Sequence, residues 1–236
     1  WRPLAEQGHA EAQAQVGAIY DEGYGVPEDN AEAVKWYRKA AEQGHAIAPF
    51  QLGLIYSLGE GVPQDYAEAA KWYRISAERG FEVAQNNLGS VYYEGEGVRK
   101  NYAEAIKWFR KAAEQGLAQA QYTLGGMYSQ GHGIPQNKVE AGKWFRSAAE
   151  QGHSGAQYYL GVMYYQGEGV PKDIAEAIKW LRGAIKQGHV KARNILGNVY
   201  DETEAGKLWS KAAKQGNAEA QHMLGQAFEW GYGAPY

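Results

Sequence analysis

One thirteen-residue stretch, Glu32-Ala-Val-Lys-Trp-Tyr-Arg-Lys-Ala-Ala-Glu-Gln-Gly44, returns along the chain. Thirty-six residues on, Lys71-Trp72-Tyr73-Arg74 closes at Gly80. Further steps reach Trp108-Phe109-Arg110, Trp144-Phe145-Arg146 and Trp180-Leu181-Arg182, closing at Gly116, Gly152 and Gly188. A fixed period of this length means that each unit buries its apolar face against its neighbours, not in one central core. The 236 residues therefore read as a single array, 1–236, with units near 10–44, 45–80, 81–116, 117–152, 153–188 and 189–216. Partial units are expected at 1–8 and 217–236.

Within a unit the pattern predicts two helices. Ala12, Val16, Ile19 and Tyr20 share one face of a first helix, helix A, over about 10–22. Gly23-Tyr-Gly25-Val-Pro27 makes a turn, and Asp29-Asn30 caps a second helix, helix B, that ends at Gly44. Helix A repeats as Ala48, Leu52, Gly53 and Tyr56, then as Ala84, Leu88, Gly89 and Tyr92, and so on to Ala192, Leu196, Gly197 and Tyr200. The glycine after the buried Leu or Val lets two helices approach closely, which must outweigh its ~1 kcal/mol helix penalty. One unit is irregular. Eleven residues separate Tyr164 from Glu176 but only three separate Tyr200 from Glu204, so the Gly-x-Gly turn is lost before Leu208-Trp209. A last helix A is expected from Ala218 to Trp230.

Composition removes several classes of function. Net charge is −3 with the signs interspersed, so no basic footprint for nucleic acid exists. There is no cysteine, hence no disulfide, thiolate metal site or thiol nucleophile. No 18-residue apolar run is available for direct membrane insertion. His9, His45, His153 and His189 each follow a Gly in a link between units. Layers of packed helices lie ~8–10 Å apart, whereas Zn–N bonds need ~2.0–2.1 Å, so these histidines share no metal. The Gly-x-Gly-Val turn follows a helix and lacks the Gly-Lys-Ser/Thr ending of a phosphate loop; Gly23 reads as a helix terminator and Val26 as a core plug. Glu32 and Glu42 fall beside Lys35 and Arg38 as solvated pairs. No catalytic constellation, cofactor site or metal site is found, and the chain reads as a non-enzyme.

Ala-x-x-x-Leu-Gly-x-x-Tyr, Gly-x-Gly-Val-x-x-Asp and Ala-x-x-Trp-Tyr-x-x-Ala-Ala-x-x-Gly together resemble the Sel-one-like repeat family, over essentially the whole chain. Leu181 and Leu208 at aromatic positions and the shortened turn depart from its pattern. The resemblance implies an all-α fold, a right-handed α/α superhelical solenoid of about six helix pairs with half-repeats at both ends. It also suggests a bacterial protein of the envelope, periplasm or secreted space.

With Val16 at 0° and ~100° per residue, positions 11, 14, 18, 21 and 22 oppose the buried face. By the resemblance they would line the concave side of the superhelix. Through the array these positions give Ile47, Phe50, Leu54 and Leu58; Asn86, Ser90 and Tyr93; Tyr122; Tyr158, Val162 and Tyr165; and Lys191, Asn194 and Asn198. Asp21-Glu22 and Asp201-Glu202 flank them. Aromatics and an apolar stripe anchor protein recognition, so the expected partner is a protein or peptide held in the concave groove. Packing of Phe50 and Leu54 on an adjacent helix is the plainer alternative, as is ordinary solvation of Lys191, Asn194 and Asn198. Two further readings stand beside it. One is small-molecule binding or hydrolysis, since a cysteine-rich branch similar to this family binds β-lactams. The other is end-to-end self-association through uncapped termini.

Overall fold

The computed structural model describes residues 1–202 and, beyond them, 207, 211 and 214–218. Among the described residues twelve helices succeed one another without a strand. They are α1 (Arg2–Glu6), α2 (Ala10–Asp21), α3 (Asn30–Glu42), α4 (Ala48–Leu58), α5 (Tyr66–Glu78) and α6 (Glu82–Glu94), then α7 (Tyr102–Glu114), α8 (Ala118–Gln130), α9 (Lys138–Glu150), α10 (Ser154–Gln166), α11 (Ile174–Lys186) and α12 (Val190–Glu202). Even numbers from α2 are helix A and odd numbers from α3 are helix B. The chain divides into two compact units, Trp1–Leu117 and Ala118–Tyr236. The shortened turn, Leu208-Trp209 and the helix A expected beyond 218 lie outside the described residues.

Each helix B starts where its cap residue dictates. The Asp29 carboxylate accepts the Glu32 amide at 2.9 Å, and Asp65, Asn101, Asn137 and Asp173 do the same for their own helices. Such a side chain satisfies amides that the helix leaves unpaired. The same residue fastens the turn before it: the Asp29 amide donates to the Tyr20 carbonyl at 2.8 Å, and Asp65 to Tyr56 at 2.9 Å. Helix B always carries Glu at the third position, and in three repeats that carboxylate also accepts a tryptophan indole N–H: Trp72 to Glu68, Trp108 to Glu104 and Trp180 to Glu176. These glutamates thus brace the tryptophan as well as pairing with lysine.

The close approach expected of the mid-helix glycines is present. A Cβ on Gly17 would lie 2.7 Å from the Tyr37 ring, one on Gly89 2.8 Å from Phe109, and one on Gly161 2.7 Å from Leu181. Large side chains of helix B therefore lie flat on the bare backbone of helix A, and Leu181 fills the aromatic position without a gap, fully buried. Around them the core is a succession of small clusters, such as Ala33, Tyr37, Ala40, Leu52 and Ile55 in the first unit. Ala141, Phe145, Ala148, Leu160 and Tyr164 form the corresponding cluster in the second.

Glutamine adds a polar clamp. Gln85 is buried, donates to the Ala77 carbonyl at 3.1 Å and accepts from Gln115 at 2.8 Å. Gln13–Gln43, Gln121–Gln151 and Gln157–Gln187 repeat the pair. Where Pro49 replaces the first glutamine, Arg79 replaces the second and donates to the His45 carbonyl at 2.9 Å instead.

Candidate functional site

The face of helix A opposite its buried Val or Leu is built from two kinds of residue. The first kind packs on the link of the following repeat. The Phe50 ring meets Phe81 edge-on at 5.0 Å and Tyr73 at 6.0 Å. Tyr122 stacks on His153 at 4.4 Å, and Tyr158 on His189 at 4.6 Å. These three rings stand at equivalent positions and all are half-buried. A helical wheel of one helix pair leaves them in solvent; the next repeat's link covers part of each. Ala14, at the same position, is buried outright.

The second kind is open. Ile47 is 49% exposed and Leu58 54%, at the two ends of α4, with Leu54 half-buried between them. Ser90, Lys191, Asn194 and Asn198 are exposed, while Asn86, Tyr93, Val162 and Tyr165 are half-buried. The Ser90 hydroxyl donates to the Asn86 carbonyl at 3.2 Å, so it is already engaged within α6. The Asn86 Oδ1 is buried and has no partner. Tyr93 packs on Tyr102 at 5.3 Å, and Lys172 sits 5.4 Å from the Tyr165 ring. Burial raises the hydroxyl pKa of Tyr93, Tyr122 and Tyr158, so all three remain neutral donors at physiological pH. Side chains of Asp201 and Glu202 lie outside the described residues.

On the described A helices one exposed aromatic lies outside the residues expected from the sequence. Tyr159 is 38% exposed and stacks on Phe145 with ring centroids 5.2 Å apart. It lies about 260° round the wheel, just beyond the window taken from the buried face. The doubled Tyr158-Tyr159 was the available signal.

Two of the four link histidines cap a helix A, whereas His9 makes no such bond and the buried His189 Nδ1 has no partner. His45 Nδ1 accepts the Ala48 amide at 3.0 Å, and His153 Nδ1 accepts the Ala156 amide at 3.1 Å, each at the start of a helix A. That role fixes the proton on Nε2, which faces Glu11 at 3.1 Å in one case and Gln119 at 3.2 Å in the other. An imidazolium cannot accept the amide, and burial lowers the His153 pKa below its ordinary 6.5. The unfolded chain then takes up the proton first as the pH falls below about 6.5. Stability from His153 is complete above that value and is lost as the pH drops through the folded-state pKa. Thermal melts at pH 7.5 and pH 5 are expected to show a smaller fall for His153→Ser, which keeps a cap acceptor worth ~1 kcal/mol without titrating. Equal falls would reject the role.

Among the described residues no three or more His, Asp or Glu side chains are grouped so as to hold a metal. No described helix is long and apolar enough to cross a membrane. The Gly-x-Gly turn is an inter-repeat contact: a Cβ on Gly61 would lie 2.5 Å from Asn30 Cβ, and one on Gly97 would fall on the Tyr66–Ala67 peptide.

This tandem arrangement is matched by the Sel1 repeat model over residues 10–45, 46–81, 83–117, 118–153, 154–189, 198–217 and 218–236. Comparison with the curated proteins gives no match. Among solved structures, a protective antigen of uropathogenic Escherichia coli strains, displaying an SLR fold, is 40% identical with a TM-score of 0.82. The alignment covers 100% of this chain and 52% of the antigen, so the chain spans about half that protein's length. A Sel1 repeat protein from Oxalobacter formigenes is 37% identical with a TM-score of 0.79, covering 89% of this chain and 88% of the other. The repeat matches run through the array, and the chain belongs to the Sel1 repeat family.

Proposed function

We propose that this is a non-enzymatic interaction module that binds a peptide or protein segment on the faces of its A helices. Sel1 repeat proteins are typically protein-interaction modules. The observation that carries the reading is a division of charge. Helices α4, α8 and α10 contain no Asp, Glu, Lys or Arg, whereas each helix B from α3 to α11 contains four or five. Neutral surface with partly exposed aromatics suits recognition, because burying it strands no charge.

In the first unit the binding residues are Ile47, Phe50, Leu54, Leu58, Asn86, Ser90 and Tyr93. In the second they are Tyr122, Tyr158, Val162, Tyr165, Lys191, Asn194 and Asn198, joined by Tyr159.

The test uses the intact chain and a random dodecapeptide library displayed on phage. Selected peptides are expected to lose at least about tenfold in affinity on Ile47→Ser with Leu58→Ser, or on Tyr159→Ser, as truncated anchors do. Ile47 and Leu58 are open to solvent, Tyr159 less so, and an unchanged thermal melt verifies the fold of each variant. Failure to select any binder, or binders indifferent to all these changes, would reject the reading.

A further inference from the structure

The neutral stripe of α4 ends at a strongly acidic edge. Leu58 is followed two residues later by Glu60, and its equivalent in the preceding repeat is Glu22, beside Asp21. Asp21 Oδ2 accepts the Tyr37 hydroxyl at 3.0 Å. Burial raises the Asp21 pKa, the Tyr37 bond opposes this, and Glu22, Glu60 and Glu28 push it up further. Those carboxylates come from the end of α2 and from two successive turns, so folding gathers them.

Nearby cations are committed elsewhere. Arg38 donates to the Tyr56 hydroxyl at 2.9 Å, with its guanidinium 6.0 Å from the Trp72 ring, and Lys35 pairs with Glu32 at 2.6 Å. Residues 1–117 carry 17 acidic and 12 basic side chains, whereas 118–236 carry 10 and 12. The negative balance is therefore a property of the unit that holds the apolar stripe.

We propose that this surface of the first unit docks a cationic amphipathic segment of a partner protein, its apolar side chains along Ile47, Phe50, Leu54 and Leu58 and a Lys or Arg over Glu22, Glu60 and Asp21. The inference rests on the peptide-binding reading above and adds the sign of the partner's charge. Apolar contact supplies the anchor, and the acidic edge supplies orientation and a faster encounter. A segment of opposite charge would place like charges against the edge and be excluded.

The same displayed library on the intact chain decides it. Peptides whose binding is lost on Leu58→Ser are sequenced, synthesised with a fluorescent label and titrated by anisotropy at 50 and 300 mM NaCl. The expected result is apolar residues with Lys or Arg. Affinity should then fall about five- to tenfold on Glu22→Gln with Glu60→Gln, and with added salt, as two exposed charge contacts would give. Both glutamates are exposed, and an unchanged thermal melt verifies the variant's fold. Leu58-dependent binders that are neutral or acidic, or indifferent to the paired change, overturn this inference and leave peptide binding standing. Absence of any Leu58-dependent binder, or Leu58-dependent self-association by light scattering, overturns peptide docking at this surface altogether.

Discussion

Gly97→Ala is expected to destabilise the first unit by about 3 kcal/mol or more, against about 1 kcal/mol for Gly80→Ala. Both glycines hold a left-handed backbone, at φ +68 and +96. Only one is crowded. A Cβ on Gly80 meets nothing within 4 Å, whereas one on Gly97 would lie 2.5 Å from the Tyr66 carbonyl oxygen and closer still to the adjoining peptide. Tyr66 opens α5 directly after Asp65, whose carboxylate caps that helix through Ala67 and Glu68 at 2.9 Å. An added methyl must therefore displace the turn from a capped helix end, opening the seam between two repeats. Backbone cannot swing aside as a side chain can, so overpacking there is felt in full. Urea unfolding followed by circular dichroism gives both numbers. In an array, stability is a sum of repeat and neighbour terms, so the loss should enter as an earlier transition of the weakened seam. Equal effects of the two substitutions would mean that the turn contributes no contact between repeats.

That seam was only partly legible in the sequence. Gly23 and its equivalents were readable as helix terminators, and Gly59, Gly95 and Gly167 do end their helices in the left-handed conformation. At Gly61, Gly97 and Gly169 the second glycine of the turn carries no such local signal. Its need for bare backbone comes from a helix about thirty residues earlier, visible only once the repeats are stacked. The glutamine clamp was hidden for the same reason, although the Pro49–Arg79 exchange recorded it: Arg79 reaches the Ala41 carbonyl at 3.4 Å, the counterpart of the Ala77 carbonyl that Gln85 satisfies.

The candidate surface shows where single-helix reasoning reaches its end. Period and wheel separated helix A from helix B correctly, because burial of Val16, Leu52, Leu88 and Leu124 is decided inside a helix pair. They left packing of Phe50 on an adjacent helix as an alternative, which its contact with Tyr73 matches, but did not foresee that Tyr122 and Tyr158 share their rings with the link of the next repeat. Nor could they foresee that α4 keeps its ends open while its middle is half covered. Under the proposed reading, specificity falls to the least repetitive side chains. Position 14 and its equivalents read Ala, Phe, Asn, Tyr, Tyr and Asn along the chain, whereas the tryptophan position never changes in its five full echoes. A module that must recognise one partner varies what faces that partner and holds constant what spaces the repeats.

The invariance of the tryptophan leads to the second large effect. Trp108→Ala is expected to cost about 3–5 kcal/mol, as truncating a buried aromatic does. Trp108 is 3% exposed, and its indole N–H donates to Glu104 Oε2 at 3.2 Å. Lys111 Nζ lies 4.5 Å from its ring centroid, adding a cation–π contact at the surface end. Trp108→Phe should recover most of the loss, leaving about 1 kcal/mol for the missing indole bond, since Glu104 is partly open and water replaces the donor. Burial also orders the series. Trp36 at 7% exposure should behave much as Trp108 does, and the half-buried Trp72, Trp144 and Trp180 should cost less on truncation. The measurement is urea unfolding of the five Ala variants beside peptide titration of each. If these residues space the repeats, stability falls in order of burial, while each variant that stays folded keeps its peptide affinity. A tryptophan whose loss abolishes binding without moving the unfolding midpoint would instead assign the outer face of helix B to recognition.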